Sequence, residues 1–250
     1  MAKQSGLGDN LYVGGNDLSG DTGSIQTIGG GPALLEIPGI DKSAMERIGG
    51  LRTGVVDWLS WFNVAALSAH PVLSALPTAD VIVSYFRGTV LGGQAAGMTA
   101  KQVNYDPTRG ADGSLSMGVQ AVSNGFGIEW GNSLTAGKKA DTGAANGTGV
   151  DLSASTAFGL QAYLHVFSFT GTDATIKIQE SSDDASGDAY ADVVGGGFAA
   201  ISSAPTTERI ATATGLTVEQ WLRAITTTSA GFTEMTFAVV VVKNTLLPVF

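Results

Sequence analysis

Two histidines, His70 and His165, are the only imidazole groups that this 250-residue chain could use for acid–base chemistry. His70 precedes Pro71 at an expected helix start, where it would cap the helix or face solvent. His165 lies within an apolar strand pattern, which favours a buried structural histidine. A hydrolase needs an activated nucleophile, but the chain has neither a G-x-S-x-G elbow nor a G-x-x-x-x-G-K-[ST] loop. The sequence therefore predicts no catalytic residue and a protein that is not an enzyme.

Metal chemistry has equally little support in the sequence. The chain has no Cys, which excludes a disulfide scaffold and a thiolate metal site. Asp183, Asp184, Asp188 and Asp192 cluster in a Gly/Ser-rich turn, and Ca²⁺ binds carboxylate oxygens, but their spacing does not match an ordered loop such as the EF-hand. We interpret the cluster as a solvated hairpin tip, and we expect no metal and no cofactor.

Charge and hydropathy narrow the possible partners. The chain has 22 Asp and Glu against 13 Lys and Arg, a net charge of −9. Proteins that grip nucleic-acid phosphates need clustered basic residues, so this balance argues against tight binding of nucleic acid. The most apolar run, Phe237 to Val242, is too short for a span of about 20 residues, and no membrane partner is expected.

Short alternating segments separated by Gly and small polar residues predict an all-β protein. Leu115 to Ala121 alternates apolar with small or polar residues, and Val81 to Phe86 is rich in β-branched and aromatic residues. After a stretch of Gly, Ala, Ser and Thr, the strand pattern restarts. Further strands are predicted at 157–170, 175–179, 218–225 and 233–243.

The segment Val55 to Phe62 is apolar on both faces, because Val56 and Trp58 alternate with Val55, Leu59 and Trp61. A strand of this kind is covered on both sides, by its own core and by something else. We therefore expect one tryptophan of the pair Trp58 and Trp61 in the core and the other under a neighbouring subunit.

Two short helices are predicted in the first half of the chain. Asp41 to Ile48 begins with an N-cap candidate and is followed by Gly49-Gly50, a typical C-cap pair. Pro71 to Leu76 begins with Pro at a first-turn position and stops before Pro77. Both are about two turns long, so each would have to dock on the sheet.

The stretch from Leu34 to Trp58, LLEIPGIDKSAMERIGGLRTGVVDW, resembles the strand, short charged helix, G-L-[RK]-x-G turn and next strand of long-tailed bacteriophage major tail (tail tube) proteins. Asn16 to Asp21 and the later order of elements up to Gly131 are similar to that family as well, so the resemblance covers about residues 10 to 135. The part from Ala157 resembles jelly-roll β modules of viral structural proteins.

The resemblance implies a tail-tube-type β-sandwich or barrel with short docked helices at 1–135 and a jelly-roll-like β-sandwich at 157–250. The small-residue composition of 136–156 predicts a Gly/Ala/Thr linker or long loop between them. The resemblance also implies a major tail tube subunit of the virion, assembled in the host cytoplasm as stacked hexameric rings with other tail proteins. Viral double-stranded DNA would pass through the channel without tight binding, and an acidic chain suits that passage.

Charged and aromatic residues of the resembling segment are the predicted subunit contacts, because ion pairs desolvated between subunits set register. These candidates are Asp41, Glu46, Arg47, Arg52, Trp58 and Trp61. Two other classes stay open at this point. One is a capsid decoration or receptor- or carbohydrate-binding jelly roll, which would be a monomer or trimer. The other is a β-sandwich hydrolase, which would need both histidines near carboxylates in a cleft.

Overall fold

A computed structural model describes residues 5–246, and these fold almost entirely into β-strands. The predicted all-β class is confirmed. The strands, with one short helix, are β1 (Asn10–Val13), β2 (Asn16–Asp17), β3 (Thr22–Glu36), β4 (Arg47–Trp61), α1 (Ala69–Leu73), β5 (Val81–Phe86), β6 (Gln94–Arg109), β7 (Leu115–Ser123), β8 (Glu129–Ser133), β9 (Lys139–Asp141), β10 (Ala145–Asn146), β11 (Val150–Asp151), β12 (Leu160–Thr170), β13 (Ala174–Ser181), β14 (Ala191–Gly197), β15 (Thr206–Ala211), β16 (Trp221–Thr228) and β17 (Glu234–Lys243). A 3₁₀ turn at Ser19–Asp21 precedes β3.

The chain forms two compact units, each discontinuous in sequence. Unit 1 contains the residues before Asp21, Ile82–Gly97 and the chain from Glu129 onward, and unit 2 contains Asp21–Val81 and Met98–Ile128. The sequence predicted three successive segments, 1–135, 136–156 and 157–250. These follow the order of the chain, whereas the two units are defined by contacts between separate segments, and the predicted domain division stays a prediction.

Unit 1 contains a β-sandwich of two antiparallel layers. In one layer β17 lies between β12 and β8, and β15 pairs with the other edge of β12. In the other layer the order is β10-β16-β13-β14, with β11 also on β16. Alternate residues of the two layers, such as Leu164, Val239, Ile176 and Leu222, meet in a common buried cluster. Period-2 burial of this kind is the reason the alternating sequence folds into two facing sheets.

The strand β12 is buried on both faces along most of its length. Ala162 and Leu164 belong to the sandwich cluster, whereas Tyr163 packs into a second cluster with Tyr12, Phe86 and other residues of unit 1. His165 is fully buried on this second side. The near-continuous apolar run of β12 therefore reflects two covered faces.

Unit 2 is built on the antiparallel order β3-β4-β7, and residues 100–109 of β6 pair with the other edge of β7. Val56, Trp58 and Met117 are buried in its core. Leu73 of α1 is also buried, so this helix docks through its apolar residues as its length requires.

The structure corrects the predicted helix at Asp41–Ile48. Residues 37–46 form a loop without helix, and β4 already begins at Arg47. The backbone N–H of Ile37 donates to the carbonyl of Glu46, which continues the β3–β4 ladder into the loop. A two-turn helix forms only when it buries an apolar face, and Met45 and Ile48 remain half exposed. Gly49-Gly50 therefore lies within β4 instead of capping a helix.

Other predicted elements fall close to the observed ones. The helix predicted at Pro71–Leu76 is α1, which begins and ends earlier, and the strands predicted at 81–86, 115–121, 175–179 and 233–243 overlap β5, β7, β13 and β17. The segment 136–156, predicted as a linker or long loop, carries the short strands β9, β10 and β11, which pair with β17 and β16. Within residues 5–246, no helix is long and apolar enough to cross a membrane.

Candidate assembly surface

The distal part of the β3–β4 hairpin is a long ribbon. β3 and β4 pair from Thr22 and Ser60 at one end to Glu36 and Arg47 at the other, but β7 pairs with β4 only over residues 55–61. Residues 31–53, which we call the arm, therefore form a two-stranded ribbon that ends in the loop 37–46. Isolated two-stranded hairpins are marginally stable in water, so an arm of this length is expected to need a covering partner.

The arm exposes an unusual number of large apolar side chains. Ile40 is fully exposed, Leu51 is 89% exposed and Leu34 is 64% exposed. The whole set, all at least 46% exposed, is Leu34, Leu35, Ile37, Ile40, Met45, Ile48 and Leu51. Large exposed apolar side chains concentrated in one ribbon are more typical of an interaction site than of a solvated loop.

Both faces of the ribbon are apolar. Leu35 lies opposite Ile48, so these two side chains share one face. Leu34 is the neighbour of Leu35 in the strand and lies opposite Gly49, so its side chain points to the other face. An arm that is apolar on both faces fits between two surfaces better than on one.

The predicted charged candidates lie on this arm. Arg47 Nη2 is 3.3 Å from Glu36 Oε1, and Lys42 Nζ is 3.5 Å from Glu46 Oε1, each pair about half exposed. Within residues 5–246, Asp41 and Arg52 make no ion pair. Surface pairs of this kind add little to stability, between about 0 and 1 kcal/mol each, so their contribution to subunit register stays a prediction.

Two glycines at the base of the arm allow the strands to approach closely. Gly30, with a φ of +154°, lies opposite Gly54, and a Cβ at Gly30 would collide with the carbonyl of Thr53. A Cβ at Gly54 would lie 2.5 Å from the backbone nitrogen of Ile128. Side chains are therefore excluded at the point where the arm leaves the rest of unit 2.

The tryptophans of β4 separate as the sequence suggested. Trp58 is 1% exposed in the chain's own core, which removes it from the candidates for a subunit contact. Trp61 is 46% exposed, and its indole lies against Gly23, where a Cβ would be 2.8 Å from Trp61 Nε1. Its burial under a neighbouring subunit stays a prediction.

A second exposed apolar surface follows β4 in unit 2. Its members, each more than 40% exposed, are Trp61, Phe62, Val64, Leu67 and Leu76. Asp21 anchors this segment, since its carboxylate accepts the backbone N–H of Ala69 at 2.9 Å and the side-chain amide of Asn63 at 2.8 Å. We call these five residues the Trp61 surface. Unit 2 thus carries two different exposed apolar surfaces.

The histidines lie in two unrelated places. His165 Nδ1 accepts the backbone N–H of Gly15 at 3.3 Å, and its Nε2 lies 2.9 Å from Ser84 Oγ. Burial lowers the pKa of His165 to about 3. His70 Nδ1 lies 3.0 Å from the hydroxyl of Tyr105. Among residues 5–246 neither histidine bonds a carboxylate, and no group of three or more His, Asp or Glu could hold a metal ion.

Sequence reasoning missed the apolar residues of the arm, because it assigned Met45 and Ile48 to a helix. The available signal was the pair Leu34-Leu35, two adjacent large apolar residues within one strand. Adjacent apolar residues on a strand point to opposite faces, and the same argument that was applied to Val55–Phe62 would have predicted a doubly covered ribbon.

Comparison with known proteins gives structural similarity only. No family model matches the chain, and no curated protein matches it. Among solved structures, the virion of a native gene transfer agent particle contains a chain with a TM-score of 0.41 and 12% identity, which covers 51% of this chain and 98% of its own length. The tail of an empty gene transfer agent particle, with C6 symmetry, contains a chain with a TM-score of 0.42 and 13% identity. The match covers 51% of this chain and 98% of that chain. The SPP1 Dit protein is described as a paradigm of the hub adsorption apparatus in phages that infect Gram-positive bacteria. It matches with a TM-score of 0.32 and 10% identity, over 93% of this chain and 98% of its own length.

Proposed function

We propose that this chain is a non-enzymatic structural subunit of a bacteriophage tail and that it assembles with copies of itself, as a major tail tube protein does. The observation that carries the proposal is the arm, which leaves large apolar side chains exposed on both of its faces. The sequence resemblance between residues 34 and 58 and tail tube proteins includes the whole loop of this arm.

The two apolar surfaces of unit 2 support a head-to-tail mode of assembly. The arm is aliphatic, whereas the Trp61 surface also carries the aromatic rings of Trp61 and Phe62, so a contact between the two surfaces would be heterologous. Heterologous contacts close into rings or continue as filaments. Stacked hexameric rings are one such closed arrangement, in which each arm is covered by the next subunit.

The charge of the chain suits a channel for DNA. The excess of carboxylates over basic groups would leave phosphates hydrated and the genome free to move. In this proposal the protein is part of the virion tail, meets other tail proteins at the ends of the tube, and assembles in the host cytoplasm. The segment 157–250 either completes the tube wall or decorates its outside.

Negative-stain electron microscopy of the purified protein tests the proposal. Rings or rods are expected from the natural chain, and small particles from the double variant Ile40→Asp, Leu51→Asp, which places charge on the exposed arm. Leu7→Asp is a matched control, because Leu7 is 90% exposed but lies in unit 1.

Assembly in the control and its loss in the arm variant, with equal unfolding midpoints, would support the proposal. Monomers or trimers of the natural chain at high protein concentration would contradict it and would favour a decoration protein. Equal assembly of both variants would show that the arm is not the contact.

A further inference from the structure

A cleft in unit 1 has no part in the proposed assembly surface. Its volume is 510 Å³, within the range of about 300–1,000 Å³ that small-molecule sites occupy. The walls come from β6, β8, the loop between β11 and β12, and the end of β17. The side chains that matter for recognition are Gln94, Trp130, Asn132, Phe158, Lys243 and Asn244.

Strand register places four of these side chains on one face of the sheet. Gln94 lies opposite Asn132, and Ala96 lies opposite Trp130, so Gln94, Asn132 and Trp130 share a face. Asn132 also lies opposite Val241, two residues from Lys243, which brings Lys243 to the same side. An indole, two amides and an ammonium group therefore line a single floor.

The indole of Trp130 offers an open stacking surface. It is 49% exposed, and the ring of Tyr85 contacts it edge-on with a centroid distance of 6.2 Å. An aromatic ring that is supported on one side and open on the other binds the flat apolar face of a ligand.

The polar groups of the cleft are held but not saturated. Asn132 donates its amide N–H to the carbonyl of Gly92 at 2.9 Å, and Asn244 donates to the carbonyl of Phe158 at 2.8 Å. These bonds fix the two amides while the side-chain oxygens remain available as acceptors. Gln94 is exposed and makes no side-chain hydrogen bond within residues 5–246, so its amide can donate and accept.

The electrostatics of the cleft disfavour an anionic ligand. Lys243 Nζ donates to the carbonyls of Ala154 and Glu219, which uses two of its three N–H groups. Burial lowers the pKa of Lys243, while the nearby carboxylates of Asp151, Glu219 and Glu180 act in the opposite direction. One engaged ammonium surrounded by carboxylates gives little net attraction for an anion.

We propose that this cleft binds a neutral saccharide. A sugar ring presents an apolar C–H face, which would stack on Trp130, and hydroxyl groups that both donate and accept, which match the amides of Gln94, Asn132 and Asn244. A purely apolar ligand would leave the amide of Gln94 and the side-chain oxygens of Asn132 and Asn244 without a partner, which is unfavourable in a covered site. Cell-surface glycans are the source of such ligands that a virion protein would meet.

Nuclear magnetic resonance of the full chain tests the site. Glucose, galactose, N-acetylglucosamine and rhamnose are titrated to millimolar concentration while the indole N–H signals are followed, and the signal absent from Trp130→Phe identifies Trp130. At least one neutral sugar is expected to shift the Trp130 signal saturably. Trp130→Ala and Gln94→Ala should each weaken the affinity severalfold or more.

Val194→Ala is the control, because Val194 is 72% exposed in unit 1 but lines neither the cleft nor the proposed assembly surface. It should leave sugar binding unchanged, and circular dichroism checks that each variant is folded. No shift of the Trp130 signal by any of the four sugars would overturn the proposal, and so would tighter binding of glucuronate than of glucose. These results are independent of ring or rod formation, so this site and the proposed assembly can fail separately.

Discussion

At the scale of single residues, His165 makes the stability of the folded chain depend on pH. Its ring accepts the Gly15 N–H at Nδ1, so Nε2 carries the proton and donates to Ser84 Oγ. The folded pKa of about 3 lies below the ordinary value of 6.5, so the unfolded chain binds the proton first as the pH falls. Stability from this group is therefore complete above pH 6.5 and is lost progressively toward pH 3.

We predict that this histidine alone lowers the free energy of unfolding by about 2 kcal/mol between pH 7 and pH 5. The variant His165→Gln keeps an amide that can form hydrogen bonds but does not titrate, so its unfolding free energy should fall less over the same range. Urea unfolding at both pH values measures the difference. Parallel pH profiles for the two proteins would show that His165 does not titrate on unfolding in this range.

Gly97 is a second residue whose environment gives a sharp expectation. A Cβ at this position would collide with the ring of Tyr163, which is completely buried. We predict that Gly97→Ala lowers the free energy of unfolding by about 1–3 kcal/mol, the usual effect of overpacking. Gly143→Ala is the control, because a Cβ there meets nothing within 4 Å, and it should change stability little. Equal effects of the two substitutions would mean that the Tyr163 ring moves aside freely.

At the scale of elements, the local pattern of the sequence predicted most strands but not their partners. The alternation at Leu115–Ala121 and the β-branched run at Val81–Phe86 report burial on one or both faces, and β7 and β5 lie there. Pairings such as β1 with β5, or β9 with β17, join residues far apart in the chain. No local pattern encodes such contacts, so the sequence could not predict which segments of the chain come together in unit 1.

For the candidate assembly surface, the sequence indicated which charged residues to consider but gave the wrong secondary structure for part of the segment that carries them. The segment Asp41–Arg52 and Trp61 were expected at a subunit contact, and they lie on the exposed arm and the Trp61 surface. The helix predicted at Asp41–Ile48 was wrong because it rested on local capping signals at Asp41 and Gly49-Gly50. Whether this segment forms a strand depends instead on pairing with residues 22–36, which lie earlier in the chain. The cleft around Trp130 is lined by segments that are far apart in the chain, so no residue spacing in the sequence predicts it.

The charged residues of the arm carry a prediction of their own. Arg47 and Arg52 lie on the exposed ribbon, where their loss removes no buried contact. We predict that the double variant Arg47→Ala, Arg52→Ala folds with an unfolding midpoint close to that of the natural chain but forms few or no rings or rods. Sedimentation velocity measures the assembled fraction, and Lys177→Ala, which removes the exposed ion pair with Asp192 in unit 1, is the control. Normal assembly of the arginine variant would exclude these two residues as contacts.

At the scale of the whole molecule, the distribution of charge bears on the proposed passage of DNA. Among residues 5–246, eight basic side chains lie within 4.0 Å of a carboxylate: Lys42, Arg47, Arg87, Lys101, Lys138, Lys139, Lys177 and Arg209. These eight groups are therefore already engaged by carboxylates, and the chain has nine more acidic than basic residues. Phosphate binding with release of counterions requires unpaired Lys and Arg in a cluster.

We therefore predict that the protein does not bind duplex DNA tightly and that the inner surface of the proposed rings is acidic or neutral. Electrophoretic mobility and fluorescence anisotropy of a labelled duplex at low salt measure the first expectation, since low salt strengthens every phosphate contact. An electron cryo-microscopy map of the assembly measures the second. A channel ringed by Lys or Arg, or tight binding that weakens steeply with added salt, would contradict the prediction. In the proposed channel an acidic wall would repel the phosphates along its whole length, so the DNA would have no preferred stopping point and could slide.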